Sequence, residues 1–242
     1  MRSLAFAIRT LTRLPVGSSP LEREERSLVW YPFVGALYGA VCVLFSRIPF
    51  PAPLRAALII ALSSYLSRGF HLDGLADFAD GLGGGWTAER ALSIMRDSHI
   101  GAFGVLALII TLLVQYSALQ SLADAPLLLF LVPIFSRTMI TLAASFLPYA
   151  RAGAGSAAAL VRGATWYHFL APLLQVITLI ALYTLRGLAL RASVGFLAAL
   201  LSTLSLMLIA QKRLGGVTGD VLGAIEVVSE SAAMVALLIP LA

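Results

Sequence analysis

Charged side chains supply only 12% of the 242 residues, and lysine and cysteine occur once each, as Lys212 and Cys42. So little charge, with 60% hydrophobic residues and a mean hydropathy of +0.93, excludes a soluble globular domain, in which about a quarter of the residues are charged. A single cysteine excludes a disulfide framework and a thiolate metal centre, and Cys42, set in an apolar run, reads as a packing residue. The scarcity of lysine leaves arginine to set the net charge of +5. Scattered between apolar runs, the arginines report membrane topology rather than nucleic-acid binding, and no nucleic-acid partner is expected. The sequence also lacks a convincing internal repeat, which counts against the inverted-repeat transporters.

What is present is a series of apolar runs of roughly 17–22 residues, each long enough to cross a bilayer. They lie at about Val29–Ser46, Leu54–Gly69, Gly101–Leu122, Pro126–Leu147, Tyr167–Leu185, Ala192–Gln211 and Val221–Leu241. The expected fold is an all-α polytopic integral membrane protein with about seven transmembrane helices. The second run is short and follows Pro49, Pro51 and Pro53, so a helical hairpin or re-entrant element is an alternative there. Residues 1–28 form an amphipathic N-terminal segment in which Arg9 and Arg13 interrupt the apolar residues, as in an interfacial helix. Residues 1–242 read as one membrane-embedded domain, with a cytoplasmic Asp-rich insert at 70–100.

The arginines set the orientation. With the N-terminus inside, one face collects Arg2, Arg9, Arg13, Arg23, Arg26, Arg68, Arg90, Arg96, Arg151, Arg162, Lys212 and Arg213, and the other Arg47, Arg55, Arg186 and Arg191. Only Arg137 falls inside a span. By the positive-inside rule the segments His71–Ile100, Tyr149–Trp166 and Lys212–Asp220 all face the cytoplasm, which predicts a multi-pass protein of the cell (inner) membrane.

The stretch His71–Gly104 holds five of the twelve acidic residues, four of them aspartates. Asp73, Asp77 and Asp80 follow an i, i+4, i+7 spacing, which on a helix confines them to roughly a 60° arc. Like charges so close beside hydrocarbon need compensation. Mg²⁺ suits them, because it takes hard oxygen ligands and bridges to substrate phosphates. Asp97, from a second helix capped at Thr87, is the expected fourth ligand. The metal points to phosphoryl or nucleotidyl transfer, with hydrolysis and transfer to an alcohol both open. His71 is the candidate proton acceptor or substrate hydrogen-bond partner. Arg13, Arg96 and Arg137 are the candidate phosphate clamps. Gly83-Gly84-Gly85 lacks the lysine of a P-loop and reads as a flexible connector.

A second polar patch, Thr218–Glu226 with Glu230 beyond it, opens the last span. Asp220 is expected to cap that helix, and Glu226 and Glu230 share one of its faces, at a depth where ionisable groups mark function. Arg137 is the basic residue that pairs with Glu226 and Glu230 or with a phosphate, and Asp220 and Glu226 are candidate ligands, bases or substrate contacts.

The run His71-Leu72-Asp73-Gly74-Leu75-Ala76-Asp77-Phe78-Ala79-Asp80-Gly81-Leu82, then Ile94-Met95-Arg96-Asp97-Ser98 and Ile100-Gly101-Ala102-Phe103-Gly104, closely resembles the cobalamin synthases, the adenosylcobinamide-GDP ribazoletransferases. Leu11-Thr12-Arg13-Leu14-Pro15 and Thr218-Gly219-Asp220-Val221-Leu222-Gly223-Ala224 with Glu226 are similar to that family's two flanking signatures. The resemblance implies a Mg²⁺-dependent membrane enzyme of cobamide synthesis. It would join adenosylcobinamide-GDP to α-ribazole or its 5′-phosphate and release GMP, with Mg²⁺ on Asp73, Asp77, Asp80 and Asp97. It leaves homo-oligomerisation and association with other cobamide-assembly enzymes open. His99 departs from the basic residue expected after Asp-Ser, which puts a phosphate role there in doubt. The CDP-alcohol phosphotransferases are the enzymatic alternative, although their later paired-aspartate pattern is missing. A cation-coupled transporter using Asp73, Asp77, Glu226 and Glu230 is the non-enzymatic one.

Overall fold

The computed structural model describes residues 2–17, 21–153 and 155–240, and all regular structure among them is helical. The helices are α1 (Arg2–Leu11), α2 (Tyr31–Ser46, entered through a 3₁₀ segment Glu24–Trp30), α3 (Ala52–Leu66), α4 (Phe70–Gly84), α5 (Ala88–Ile94), α6 (Ala102–Leu122), α7 (Pro126–Phe146), α8 (Ala158–Gly163), α9 (Tyr167–Leu182), α10 (Ala189–Leu214) and α11 (Gly219–Leu237). Proline opens α2, α3 and α7, where its missing N–H costs no helical hydrogen bond. Thr87 caps α5 as expected, its hydroxyl accepting from the Arg90 amide at 3.3 Å. The cap of α11 is Thr218, which accepts from the Val221 amide at 3.3 Å, so Asp220 sits inside the first turn rather than at the cap.

Five helices among the described residues are long and apolar enough to cross a membrane: Glu24–Ser46, α6, α7, α9 extended to Arg186, and α10. The other two expected spans differ. The second is the 15-residue α3, about 22 Å long at 1.5 Å per residue, which falls short of a ~30 Å hydrocarbon core. The last, α11, has the length but carries Asp220, Glu226 and Glu230. Its expected end at Leu241 lies outside the described residues.

The core is built around α7, whose residues from Leu128 to Ser145 are buried almost without interruption against α2, α9, α10 and α11. The expected 70–100 insert is not a loop. Its first half is α4, which packs between α11 and α6. Gly83 and Gly84 complete the last turn of α4 and Gly85 caps it. A methyl group at Gly83 would collide with the Phe103 ring and one at Gly85 with the Ala91 backbone, so these glycines permit close packing instead of supplying flexibility. Between α3 and α4 the chain turns through two left-handed residues, Arg68 (φ 59°) and Gly69 (φ 69°). α1 also differs from a helix lying clear of the bundle. The Trp30 indole N–H donates to Ser3 Oγ at 3.1 Å, and the Tyr38 hydroxyl, midway along α2, donates to the Leu11 carbonyl at 2.8 Å.

Two loops on the aspartate side are tied together. The Ala150 amide donates to the Val217 carbonyl, and the Val217 amide donates to the Pro148 carbonyl, both at 2.8 Å, forming an isolated parallel bridge. Arg162 reinforces the first loop by donating to the carbonyls of Arg151, Ala152 and Gly153 at 3.0, 2.9 and 3.0 Å.

Candidate active site

The site is made where α4 crosses the start of α11. The crossing is close because both helices are bare of side chain there. A Cβ on Gly74 would stand 2.7 Å from the Asp220 carbonyl oxygen, and one on Gly223 would stand 3.2 Å from the Cα of His71. That approach brings Asp73 and Asp77 of α4 to Asp220 of α11, a carboxylate the sequence placed in a separate patch. Asp220 is held by Arg151 at 2.9 Å and by the Thr218 hydroxyl at 3.2 Å. Burial, and then the negative charges of Asp73, Asp220 and Asp80, push the Asp77 carboxyl up to about 7, with Arg151 opposing.

Beside this carboxylate group lies a cavity of about 880 Å³. Its wall includes Arg9 of α1, Arg68 and Gly69 of the left-handed turn, His71 and Asp73 of α4, and Gly219 of α11. The remainder is largely apolar, so the cavity combines a hydrocarbon lining with a few convergent polar groups, the usual make-up of a small-molecule site.

Other expected site residues are elsewhere. Both oxygens of Asp80 are committed to the start of α6, accepting from the Gly101 amide at 2.7 Å and the Gly104 amide at 2.9 Å. A Cβ on either glycine would run into that carboxylate. An anion at a helix N-terminus is stabilised by the exposed amides and the helix dipole, so in this structure Asp80 fastens α4 to α6. Asp97 is exposed and accepts from the His99 amide at 3.0 Å, with the His99 ring nitrogen Nδ1 at 2.7 Å. His99 holds its carboxyl below the usual range. Arg96 is exposed at the end of α5, and Arg13 lies over the Tyr65 ring at 4.7 Å. Among the described residues no three His, Cys, Asp or Glu side chains converge on one metal position.

Arg137 and Glu226 meet each other instead of a phosphate. The Arg137 Nη1 group donates to Glu226 Oε1 and to Glu230 Oε2, and its guanidinium lies 4.4 Å from the Tyr38 ring centre. Ser136 Oγ stands 3.3 and 3.1 Å from the same two carboxylates, with one hydrogen to give to either. The other Glu226 oxygen, Oε2, is 3.1 Å from His71 Nδ1. Arg137 is thus paired with two buried carboxylates through Nη1.

Sequence reasoning missed Arg151, Arg9 and Arg68. All three were legible only as topology charges, because nothing in their local sequence distinguishes an arginine that turns inward from one that stays with the headgroups. The left-handed Arg68 leaves no sequence mark except the Gly69 beside it.

Fold and site together define a membrane-embedded enzyme whose carboxylates and arginines stand beside a large cavity. Residues 3–238 match the family model described as cobalamin-5-phosphate synthase. The chain is 38% identical to an adenosylcobinamide-GDP ribazoletransferase of Chlorobaculum parvum, over 93% of this chain and 90% of that one. It is also 38% identical to those of Chlorobaculum tepidum, covering 96% and 93%, and Syntrophobacter fumaroxidans, covering 93% of each chain. No solved structure shows a significant match. The chain belongs to the cobalamin-5-phosphate synthase family.

Proposed function

We propose that the protein transfers the cobinamide phosphate of adenosylcobinamide-GDP to α-ribazole or its 5′-phosphate, releasing GMP. A ribose hydroxyl oxygen bonds to the cobinamide-side phosphorus, the bond from that phosphorus to the GMP oxygen breaks, and the hydroxyl proton is given up. The observation that carries this reading is the meeting of Asp73, Asp77, Asp220 and Arg151 beside the 880 Å³ cavity in a chain of this family. Family membership sets aside the CDP-alcohol phosphotransferase and transporter alternatives.

Mg²⁺ fits these residues. The charges of Asp73 and Asp220 bear on Asp77, with Arg151 as the opposing cation, and Mg²⁺ ordinarily takes one or two protein carboxylates and completes its shell with phosphate oxygens and water. Asp73 and Asp77 would hold it, and when bound it would neutralise charge on the diphosphate and on the leaving GMP. Arg151 keeps Asp220 oriented while its own Nε, buried and without a partner, is left for a phosphate oxygen. Arg9 and Arg68 add positive charge to the cavity wall. His71 meets the ribose hydroxyl. The apolar wall excludes water, which favours transfer over hydrolysis. The corrinoid remains outside, near α1 and the membrane surface. The site faces the cytoplasm, with the protein in the cell (inner) membrane.

Purified protein in liposomes, given adenosylcobinamide-GDP and α-ribazole 5′-phosphate, is expected to form GMP and cobamide in equal amounts with Mg²⁺ and neither with EDTA. Folded protein that forms no product in either condition would overturn the reading.

A further inference from the structure

Arg137, Glu226 and Glu230 have no part in the reaction as described, yet they bury a guanidinium and two carboxylates at the middle of the bundle. Groups this costly to desolvate are kept where they do something an apolar core would not. Nothing about the cluster opens towards substrate directly. Arg137 is 3% and Glu226 4% exposed in their side chains, and the adjoining hollow is only about 40 Å³. The one member that reaches the substrate cavity is His71, which lines both spaces.

We propose that Arg137, Glu226 and Glu230 are positioning residues for His71, fixing its ring tautomer so that Nε2 offers a lone pair to the acceptor alcohol in the cavity. Each link is a contact already given. An ionised carboxylate only accepts, so His71 Nδ1 must carry the hydrogen it shares with Glu226 Oε2 at 3.1 Å. In a neutral imidazole that leaves Nε2 as the acceptor. Glu226 is in turn held at Oε1 by Arg137 and Ser136, and Arg137 is held by Glu230 and by the Tyr38 ring. Tyr38 donates to the end of α1, which forms another part of the cavity wall. Glu226 therefore cannot rotate away from His71 without also giving up its contacts to Arg137 and Ser136, and the imidazole is oriented by a third group as general-base sites require.

The chain has three histidines, so ¹⁵N-histidine NMR of the full-length protein in nanodiscs resolves the tautomers directly. His71 is expected in the Nδ1–H form in the wild type. In Glu226→Gln, whose amide nitrogen is able to donate to the ring, it is expected as a mixture. The same isosteric variant is expected to lower kcat about 10-fold, the scale of losing a partner that orients a functional imidazole, with KM for both substrates changed less than two-fold. Arg137→Lys, which keeps the charge but shortens the reach to the two carboxylates and loses the planar guanidinium over Tyr38, is expected to give a smaller fall with the same KM. The kinetic effect depends on the transfer reaction proposed above, whereas the tautomer does not, so failure of one is distinguishable from failure of the other. A wild-type His71 in the Nε2–H form, or a tautomer unchanged in Glu226→Gln, would overturn the assignment. So would a folded Glu226→Gln protein with full kcat.

Discussion

At the scale of single residues, spacing and environment carry different information. Asp73, Asp77 and Asp80 share a helix face by arithmetic, and that much was legible. What lies opposite each was not: Asp73 and Asp77 meet Asp220 and Arg151, while Asp80 meets the bare amides of α6. The pairing of Arg137 with Glu226 and Glu230 was legible because charges so deep need partners, whereas Arg151 sits in a loop whose path no periodicity sets. Replacing Asp77 by Asn is expected to lower GMP release at least about 10²-fold by removing several kcal/mol of charge stabilisation; near-normal turnover in the folded variant would remove it from the site. The raised Asp77 carboxyl also sets a pH dependence. Its folded value, about 7, lies above the ordinary 3.8, so the protonated form is the one the metal-free fold favours. Its contribution to stability is complete below 3.8 and is lost as pH rises through 7. Under the proposed Mg²⁺ role the ion would displace that proton, so apparent Mg²⁺ affinity should rise over the same interval, as Mg²⁺ titrations of GMP release at pH 6, 7 and 8 would measure.

At the scale of elements, the site depends on how close two helices come and on how a third is fastened. Gly74 opposes the Asp220 backbone with no room for a side chain, so Gly74→Val should cost about 1–3 kcal/mol by overpacking. It should lower activity further than the loss of folded protein explains, since it parts Asp73 and Asp77 from Asp220. Thermal unfolding in detergent alongside turnover per folded molecule separates the two effects. Asp80→Ala should behave differently. Losing two charge-assisted bonds to the start of α6 is expected to cost about 3 kcal/mol and to lower the melting temperature, while the folded fraction keeps its Mg²⁺ concentration dependence. A shifted Mg²⁺ requirement would return Asp80 to the metal. The long apolar helices were plain from hydropathy. The packing of α4 against α11 was not, because a helix with aspartates every turn reads as solvated until its small residues are placed against a neighbour.

At the scale of the whole molecule, arginine placement and architecture agree on which ends belong together: the starts of α6 and α11, the end of α7 and the tied loops all lie on the aspartate side. In a Cys42→Ala background, a cysteine at the exposed Asp124 between α6 and α7 should react with an impermeant maleimide in intact cells, and one at the exposed Arg90 on α5 only after permeabilisation. The reverse pattern would invert the orientation. The fold class and the existence of a polar site came through from composition and patterning, while the division into two polar centres, one at the cavity and one at mid-bundle, needed three-dimensional contacts. The parallel bridge between Tyr149 and Val217 belongs to this scale as well. Arg151 stands two positions past one end of it and Asp220 three past the other, so the loop that carries the cation is joined to the start of the helix that carries the anion by a single two-stranded clasp. Two backbone hydrogen bonds open far more readily than the helix bundle melts. Heat inactivation is therefore decoupled from denaturation: on warming, catalysis should fade reversibly while the helices are still intact.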